Sequence, residues 1–379
     1  MVFGIDASNI REGGGLTHLK SILQFANPEQ FGVSKIVIWS SQKTLNQLPN
    51  LSFIEKKTHT LLNRSTIHAF LFQYLKLKKQ AKKEKCQVIF APGGTFISSF
   101  RPFVTMSQNM LPFEWEEAKC YGWKMRLRLK ILHYTQSRSF KNADGLIFLT
   151  NYANDYISKV IKLKNDNVII PHGVTPSFKK EPKLQKKAGY YTNENPFELL
   201  YVSYITVYKH QWNVAEAVCQ LNQEGLPIKV KFIGSVLDSF DKFQKVVEEY
   251  ENSKMCIEYI PGLKHEELVF HYHISDAFIF ASTCENMPII LIEAMSAGLP
   301  ILSSSYGPMP EVLGSSGIYF DPRDVKSIKD AIRLLYENEQ VRQIIANDSF
   351  KKAIQYTWVN CANDTFEYIS KIGLKENNK

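Results

Sequence analysis

The chain has 379 residues, 44% of them hydrophobic, and a formal net charge of +9. That length exceeds one ordinary core and suits two α/β domains of similar size with a cleft between them. The charge suits an anionic partner, yet no RNA-binding aromatic signature or zinc-finger spacing accompanies it, so nucleic acid is not expected.

Met1 leads directly into the strand-like run Val2 to Ile5, with no basic leader, and no apolar stretch approaches the roughly 20 residues of a bilayer span. Cys86, Cys120, Cys219, Cys256, Cys284 and Cys361 are scattered, without metal-ligand spacing or disulfide-scaffold density. A cytoplasmic protein with reduced thiols is expected.

Strands are predicted near Val2 to Ile5, Lys35 to Trp39, Val88 to Ala91, Phe103 to Met106, Gly145 to Leu149 and Val168 to Ile170, with helical patterns between most of them. A polar, Lys-rich passage, Ser177 to Asn195, reads as the domain connection with its flanking loop. The alternation then restarts, with strands near Glu198 to Val202, Lys229 to Ile233, Ile257 to Ile260, Ala277 to Ala281, Pro300 to Ser303 and Ile318 to Phe320. Strands alternating with helices predict parallel sheets that bind ligands at their carboxyl ends. The expected boundaries are 1–172, 173–355 and a C-terminal helix within 356–379 that returns to the first domain.

Gly13-Gly14-Gly15 follows the first strand and precedes the helical run Leu16 to Phe25. Glycines there admit a bulky anion, and a plain tight turn is the competing reading. The third glycine of GxGxxG and an acid after the second strand are both lacking, so a dinucleotide-dependent redox enzyme is not expected. Gln108 and Asn109 follow another strand and can orient a hydroxyl or satisfy a buried loop, but neither titrates. Lys119 to Lys141 interleaves Lys119, Lys124, Arg126, Arg128, Lys130, Arg138 and Lys141 with Trp123, Met125, Leu127, Leu129, Ile131 and Leu132. Such a helix can rest on an anionic membrane surface or pack its apolar side on the sheet, and both readings stand.

The strongest local pattern is Ala281-Ser282-Thr283-Cys284-Glu285-Asn286-Met287-Pro288, continued by Ile289 to Gly298. A strand ends at Ser282, a loop carries Glu285, Pro288 stands where a first helical residue would be, and Gly298 stops the helix. The free amides and dipole at that start suit a diphosphate. Glu285 and Glu293 can accept hydrogen bonds from sugar and ribose hydroxyls, or they can be an exposed loop residue and a partner of some lysine.

This string resembles the signature of glycosyltransferase family 4, retaining enzymes of the GT-B fold: two glutamates separated by seven residues, then Ala-Met-x-x-Gly-x-Pro. Tyr201 to Ala217, Phe232-Ile233-Gly234, Ile260-Pro261-Gly262 and Pro310 to Pro322 fit further landmarks in order. The resemblance implies two facing Rossmann-like, doubly wound parallel-sheet domains with an interdomain cleft. It implies Lys209 and Glu285 as catalytic residues with Asn109. It also implies donor binding by Gly14, Gly15, Lys209, Gly234, Leu263, Asn286, Met287, Pro288, Ile289, Ile290 and Glu293, and an acceptor side at Gln108 and Asn109. Glu293 would hold the ribose, Glu285 would lie beside the transferred sugar, and Pro288 to Leu291 would offer backbone amides. His172, where the family often has Asn, is expected to be structural.

Two departures stand out. Tyr204 occupies the place of a usual Arg, and Asn286-Met287-Pro288 replaces Gly-aromatic-Gly, a variation resembling the subgroup that builds bacterial surface polysaccharides such as lipopolysaccharide O antigen. No Asp-x-Asp triplet occurs, so neither metal nor cofactor is expected. The implied partners are a nucleotide sugar, a saccharide or polyprenyl-diphosphate-linked saccharide acceptor, and an anionic membrane surface. A sugar-nucleotide epimerase, a phosphorylase or a noncatalytic nucleotide-sugar binder are the alternatives.

Overall fold

The computed structural model describes residues 1–11, 13–163 and 166–377. The chain divides into two compact units, one formed by Met1–Gly173 with Thr357–Lys379 and the other by Val174–Tyr356.

The first unit holds β1 (Val2–Asp6), β2 (Lys35–Trp39), β3 (Ile54–Lys57), β4 (Val88–Ala91), β5 (Phe103–Met106), β6 (Gly145–Phe148) and β7 (Asp166–Ile169). They form a seven-stranded sheet in the order β3-β2-β1-β4-β5-β6-β7, parallel throughout. β4, β5 and β6 are buried along their whole length, as strands covered on both faces must be, and they read as unbroken apolar runs for that reason. β3 is absent from the sequence-based prediction. Its residues, Ile-Glu-Lys-Lys, form the sheet edge, where Lys57 binds Glu55 at 2.8 Å and Glu84 at 2.6 Å. Charge is how an edge avoids further pairing, and it hides the strand from hydropathy. The closing helix, Trp358–Asn377, packs in this unit: Tyr368 Oη accepts the Leu146 amide at 3.1 Å and Phe366 stacks on Phe3.

The second unit holds β8 (Phe197–Val202), β9 (Ile228–Ile233), β10 (Ile257–Ile260), β11 (Ala277–Phe280), β12 (Ile301–Ser304) and β13 (Ile318–Phe320). Their order is β10-β9-β8-β11-β12-β13, again all parallel. The expected α/β fold with a doubly wound parallel sheet in each half is therefore present. Each sheet reverses its winding once, at β1/β4 and at β8/β11, and such a switch point opens a crevice beyond the strand ends.

Candidate functional site

β8 ends at Val202 and β11 at Phe280, so the loops 203–210 and 281–288 leave the sheet side by side at the switch point of the second unit. They are stitched together. Buried Tyr201 accepts the Ala281 amide at 3.2 Å and donates to the Lys209 carbonyl, while the Thr283 amide reaches Tyr208 O at 2.8 Å. His210 adopts a positive φ of 48°, a strained conformation for a residue with a Cβ, and its Nε2 lies 3.3 Å from Thr283 Oγ1. Burial, helped by Arg323 and Lys242, lowers the His210 pKa to about 4, so its ring is neutral near pH 7.

This scaffold brings Lys209 and Glu285 into an ion pair, with both side chains largely buried. Ser282 Oγ donates to the same carboxylate oxygen at 2.5 Å, and the ammonium also lies over the Phe280 ring, 4.6 Å from its centroid. Tyr204 supplies no cation: its side chain is half exposed and its carbonyl accepts from Gln211 Nε2 at 2.7 Å.

The helix after Glu285 is Ile289–Ser296, with Pro288 as its N-cap rather than its first helical residue. This corrects two expectations. Pro288 has no N–H to offer, and the Leu291 amide is bonded to Pro288 O at 3.1 Å. The amides of Ile289 and Ile290, which have no acceptor within the helix, are the ones a ligand can use. Both residues are partly exposed, whereas Leu291 to Ser296 are buried. Asn286 and Met287 are buried in the turn before the cap. Gly298, at φ +67°, ends the helix as expected.

Glu293 is 2% exposed, and its carboxylate is held on both oxygens. His265 Nε2 lies 2.7 Å from Oε1, and Tyr272 Oη donates to Oε2 at 3.1 Å. Neither partner is singled out by the sequence. Both belong to the helix His265–Ile274, seven residues apart and so on one face. Leu263, partly buried, lies two residues before His265, which places the loop after β10 beside Glu293. Gly234 directly follows β9, where a Cβ would meet the Ser203 carbonyl oxygen at 1.9 Å, so the backbone itself demands glycine there.

In the first unit, Gly13 caps the helix Gly14–Gln24 at φ 72°, and Gly14 and Gly15 form its first turn. A Cβ on Gly15 would lie 2.8 Å from Gln108 Oε1, so the glycine turn and Gln108 adjoin. Asn109 is exposed, and its Oδ1 accepts the Leu111 amide at 3.1 Å. His18 and His172 are buried with their Nδ1 atoms 3.1 Å apart. Burial drives His18 down to about 3 and His172 well below its ordinary value, so the pair is neutral, one ring donating to the other.

The Lys209, Glu285 and Glu293 constellation of the second unit lies inside a stretch that matches a known family. Residues 182–352 match the family of glycosyl transferases group 1. The group 1 stretch includes Lys209, Glu285 and Glu293 and amounts to less than half of the chain. O-antigen chain mannosyltransferase B of Escherichia coli is 31% identical over 109 residues, which are 29% of this chain and 29% of that protein. The chain spans less than two thirds of the length of the curated relatives it matches. Sucrose-phosphate synthase of Thermosynechococcus elongatus has a similar fold, with a TM-score of 0.75 at 13% identity over 99% of this chain and all of that one. HepE of Anabaena, solved in complex with UDP-glucose, gives 0.68 at 16% identity, covering both chains completely.

Proposed function

We propose that the protein is a retaining glycosyltransferase that moves a sugar from a nucleotide-sugar donor to a saccharide acceptor. Support comes from the group 1 match over residues 182–352 and from a fold similar to that of HepE, which was solved with UDP-glucose. The observation that carries the reading is the meeting of Lys209 and Glu285 at the switch point of the second sheet, one loop away from the free amides of Ile289 and Ile290.

In this reading the donor diphosphate takes the Lys209 ammonium and those amides, which neutralise the leaving group without a divalent ion. Glu285, released from Lys209, accepts hydrogen bonds from the transferred sugar. Glu293, oriented by His265 and Tyr272, keeps lone pairs for the ribose hydroxyls. Asn286, Met287, Leu263 and Gly234 shape the rest of the donor pocket. Gly14 and Gly15 serve donor binding, and Gln108 and Asn109 serve the acceptor side. The departing phosphate helps take the acceptor proton as the new bond forms on the same face.

The acceptor is proposed to be a lipid-linked saccharide of bacterial surface polysaccharide synthesis, at the inner face of the cell membrane. The similarity to O-antigen chain mannosyltransferase B supports that assignment. The test is incubation with UDP-, GDP- and ADP-sugars and a polyprenyl-diphosphate-linked acceptor, following product by mass. A glycosylated lipid whose formation is lost in Lys209→Ala supports the reading. Nucleotide binding without any product points to a noncatalytic binder instead.

A further inference from the structure

Two helices of the first unit present apolar stripes to solvent. Along Trp123–Asn142 the side chains of Trp123, Leu127, Ile131 and Tyr134 are 65%, 53%, 54% and 67% exposed. At 100° per residue these four fall within one quadrant, on the side opposite the buried Leu129, Gln136 and Phe140. The packed face of this helix therefore does not account for its apolar residues. A second stripe runs along the helical stretch that begins as Thr66–Phe72, passes through a π turn at Gln73–Leu77 and continues as Lys78–Lys83. Ile67, Leu71, Tyr74 and Leu75 are exposed there, opposite the buried Ala69, Phe72 and Leu77.

The stripes belong to one surface. Gln73 bonds to Thr95 O and to the Ile97 amide, at 3.3 and 3.2 Å, while Ser139 Oγ takes the intervening Phe96 amide at 2.8 Å. A single short segment is thus stitched between the two helices. Phe72 and Leu77 share a core with Phe96 and Phe103. Gln73 and Ser139, which hold that segment, are buried and lie on the sides of their helices away from the exposed stripes, so both stripes face outward from the same segment.

Charge identifies the occupant. The stripes are flanked by Lys76, Lys78, Lys79, Lys82 and Lys83 on one helix and by Lys124, Arg126, Arg128, Lys130, Arg138 and Lys141 on the other, all exposed. No Asp or Glu occurs from Thr58 to Lys83 or from Tyr121 to Ala143. Among the described residues none of these cations is ion-paired; Lys124 and Lys130 lie instead over the rings of Trp123 and Trp115. A second copy meeting this face across a two-fold axis would set cation against cation. An anionic bilayer offers acyl chains to the stripes and phosphates to the lysines and arginines.

We infer that these two helices form a docking face for an anionic lipid surface, with Trp123, Leu127, Ile131, Ile67, Leu71 and Tyr74 entering the headgroup boundary. The inference stands on exposure and charge, and holds whatever the donor site does.

The test is co-sedimentation of the full chain with phosphatidylcholine vesicles, with and without phosphatidylglycerol. The wild type should sediment with the anionic vesicles and stay in solution with the neutral ones. The exposed-face variant Trp123→Ser/Leu127→Ser/Ile131→Ser should lower partition at least about tenfold, and Ile67→Ser/Leu71→Ser/Tyr74→Ser should lower it separately. Unchanged melting temperatures in both variants confirm that folding is intact. Equal recovery with both vesicle types, or undiminished sedimentation of both variants, overturns the inference. So does concentration-dependent dimerisation abolished by the same substitutions, which would identify a second copy as the occupant. Nucleotide-induced thermal shifts without vesicles read the donor site independently.

Discussion

The ammonium of Lys209 is bonded to the carboxylate of Glu285, and the pair sits between two loops that buried Tyr201 ties together. A cation held this way is neutralised until a stronger anion arrives. A diphosphate can take the lysine while Ser282 keeps Glu285 in place. The pair thus holds both groups at the place where they are proposed to act on a donor.

Removing one partner strands the other in a poorly hydrated site. Lys209→Met and Glu285→Ala should each destabilise the protein by roughly 2 to 4 kcal/mol, and the double variant by less than their sum. Urea unfolding of the four proteins measures this cycle. Strict additivity would mean that the pair is energetically idle. In transfer assays Lys209→Met should cut kcat far more than it raises KM, since the leaving-group charge grows toward the transition state.

Glu293 should behave differently. Tyr272→Phe removes one of its two hydrogen-bond donors and should weaken donor binding about fivefold, roughly 1 kcal/mol. Glu293→Ala should weaken it more, with kcat at saturating donor less affected. Calorimetric titration separates the two effects, and a donor affinity unchanged in both variants would remove Glu293 from the binding site.

The glycines give opposite expectations. At Gly234 an alanine Cβ would collide with backbone, so Gly234→Ala should lower the melting temperature by many degrees or prevent folding. At Gly15, in the first turn of a helix, alanine fits the backbone and displaces only the Gln108 amide. Gly15→Ala should therefore keep its melting temperature and lose transfer activity.

Acid stability should follow the histidine pair. His18 and His172 take up protons in the unfolded chain near pH 6.5 but are held below that when folded, so stability is full above pH 6.5 and falls as pH drops. Each contributes about 1.4 kcal/mol per pH unit in that window. Asp6 opposes them. Burial raises its pKa from 3.8 to about 6, so the folded state holds its proton and gains stability as pH falls between those values. His172→Asn should shrink the acid loss and Asp6→Asn should steepen it, as measured by denaturant titrations between pH 7 and 4.

How far the sequence reveals this molecule depends on where the determining forces act. Apolar runs between helical patterns locate nearly every strand, because central parallel strands are buried on both faces and must be apolar. β3 escapes because its register with β2 is set at a charged edge, where Ile54 pairs Ile36 but lysines follow. The loop bearing Glu285 and the helix bearing Glu293 are legible from Pro288, Gly298 and the resemblance of the whole string. Their partners are not. His265 and Tyr272 reach Glu293 from 28 and 21 residues away through the packing of two helices, and Tyr201 joins its loops from inside the sheet. The amides at the helix start differ from the expectation for a local reason: Pro288 caps the helix instead of opening it, so the N–H groups without an acceptor inside the helix are those of Ile289 and Ile290.

The most direct test of the central claim is a thermal-shift titration with UDP-, GDP- and ADP-sugars in excess EDTA, on the wild type and on Glu293→Ala. A bound donor raises apparent stability by mass action. One nucleotide class should raise the wild-type melting temperature in EDTA, and that rise should be largely lost in the variant. A shift that requires added divalent ion, an equal shift in Glu293→Ala, or no shift with any of the three would contradict a metal-independent donor site built on Lys209, Glu285 and Glu293.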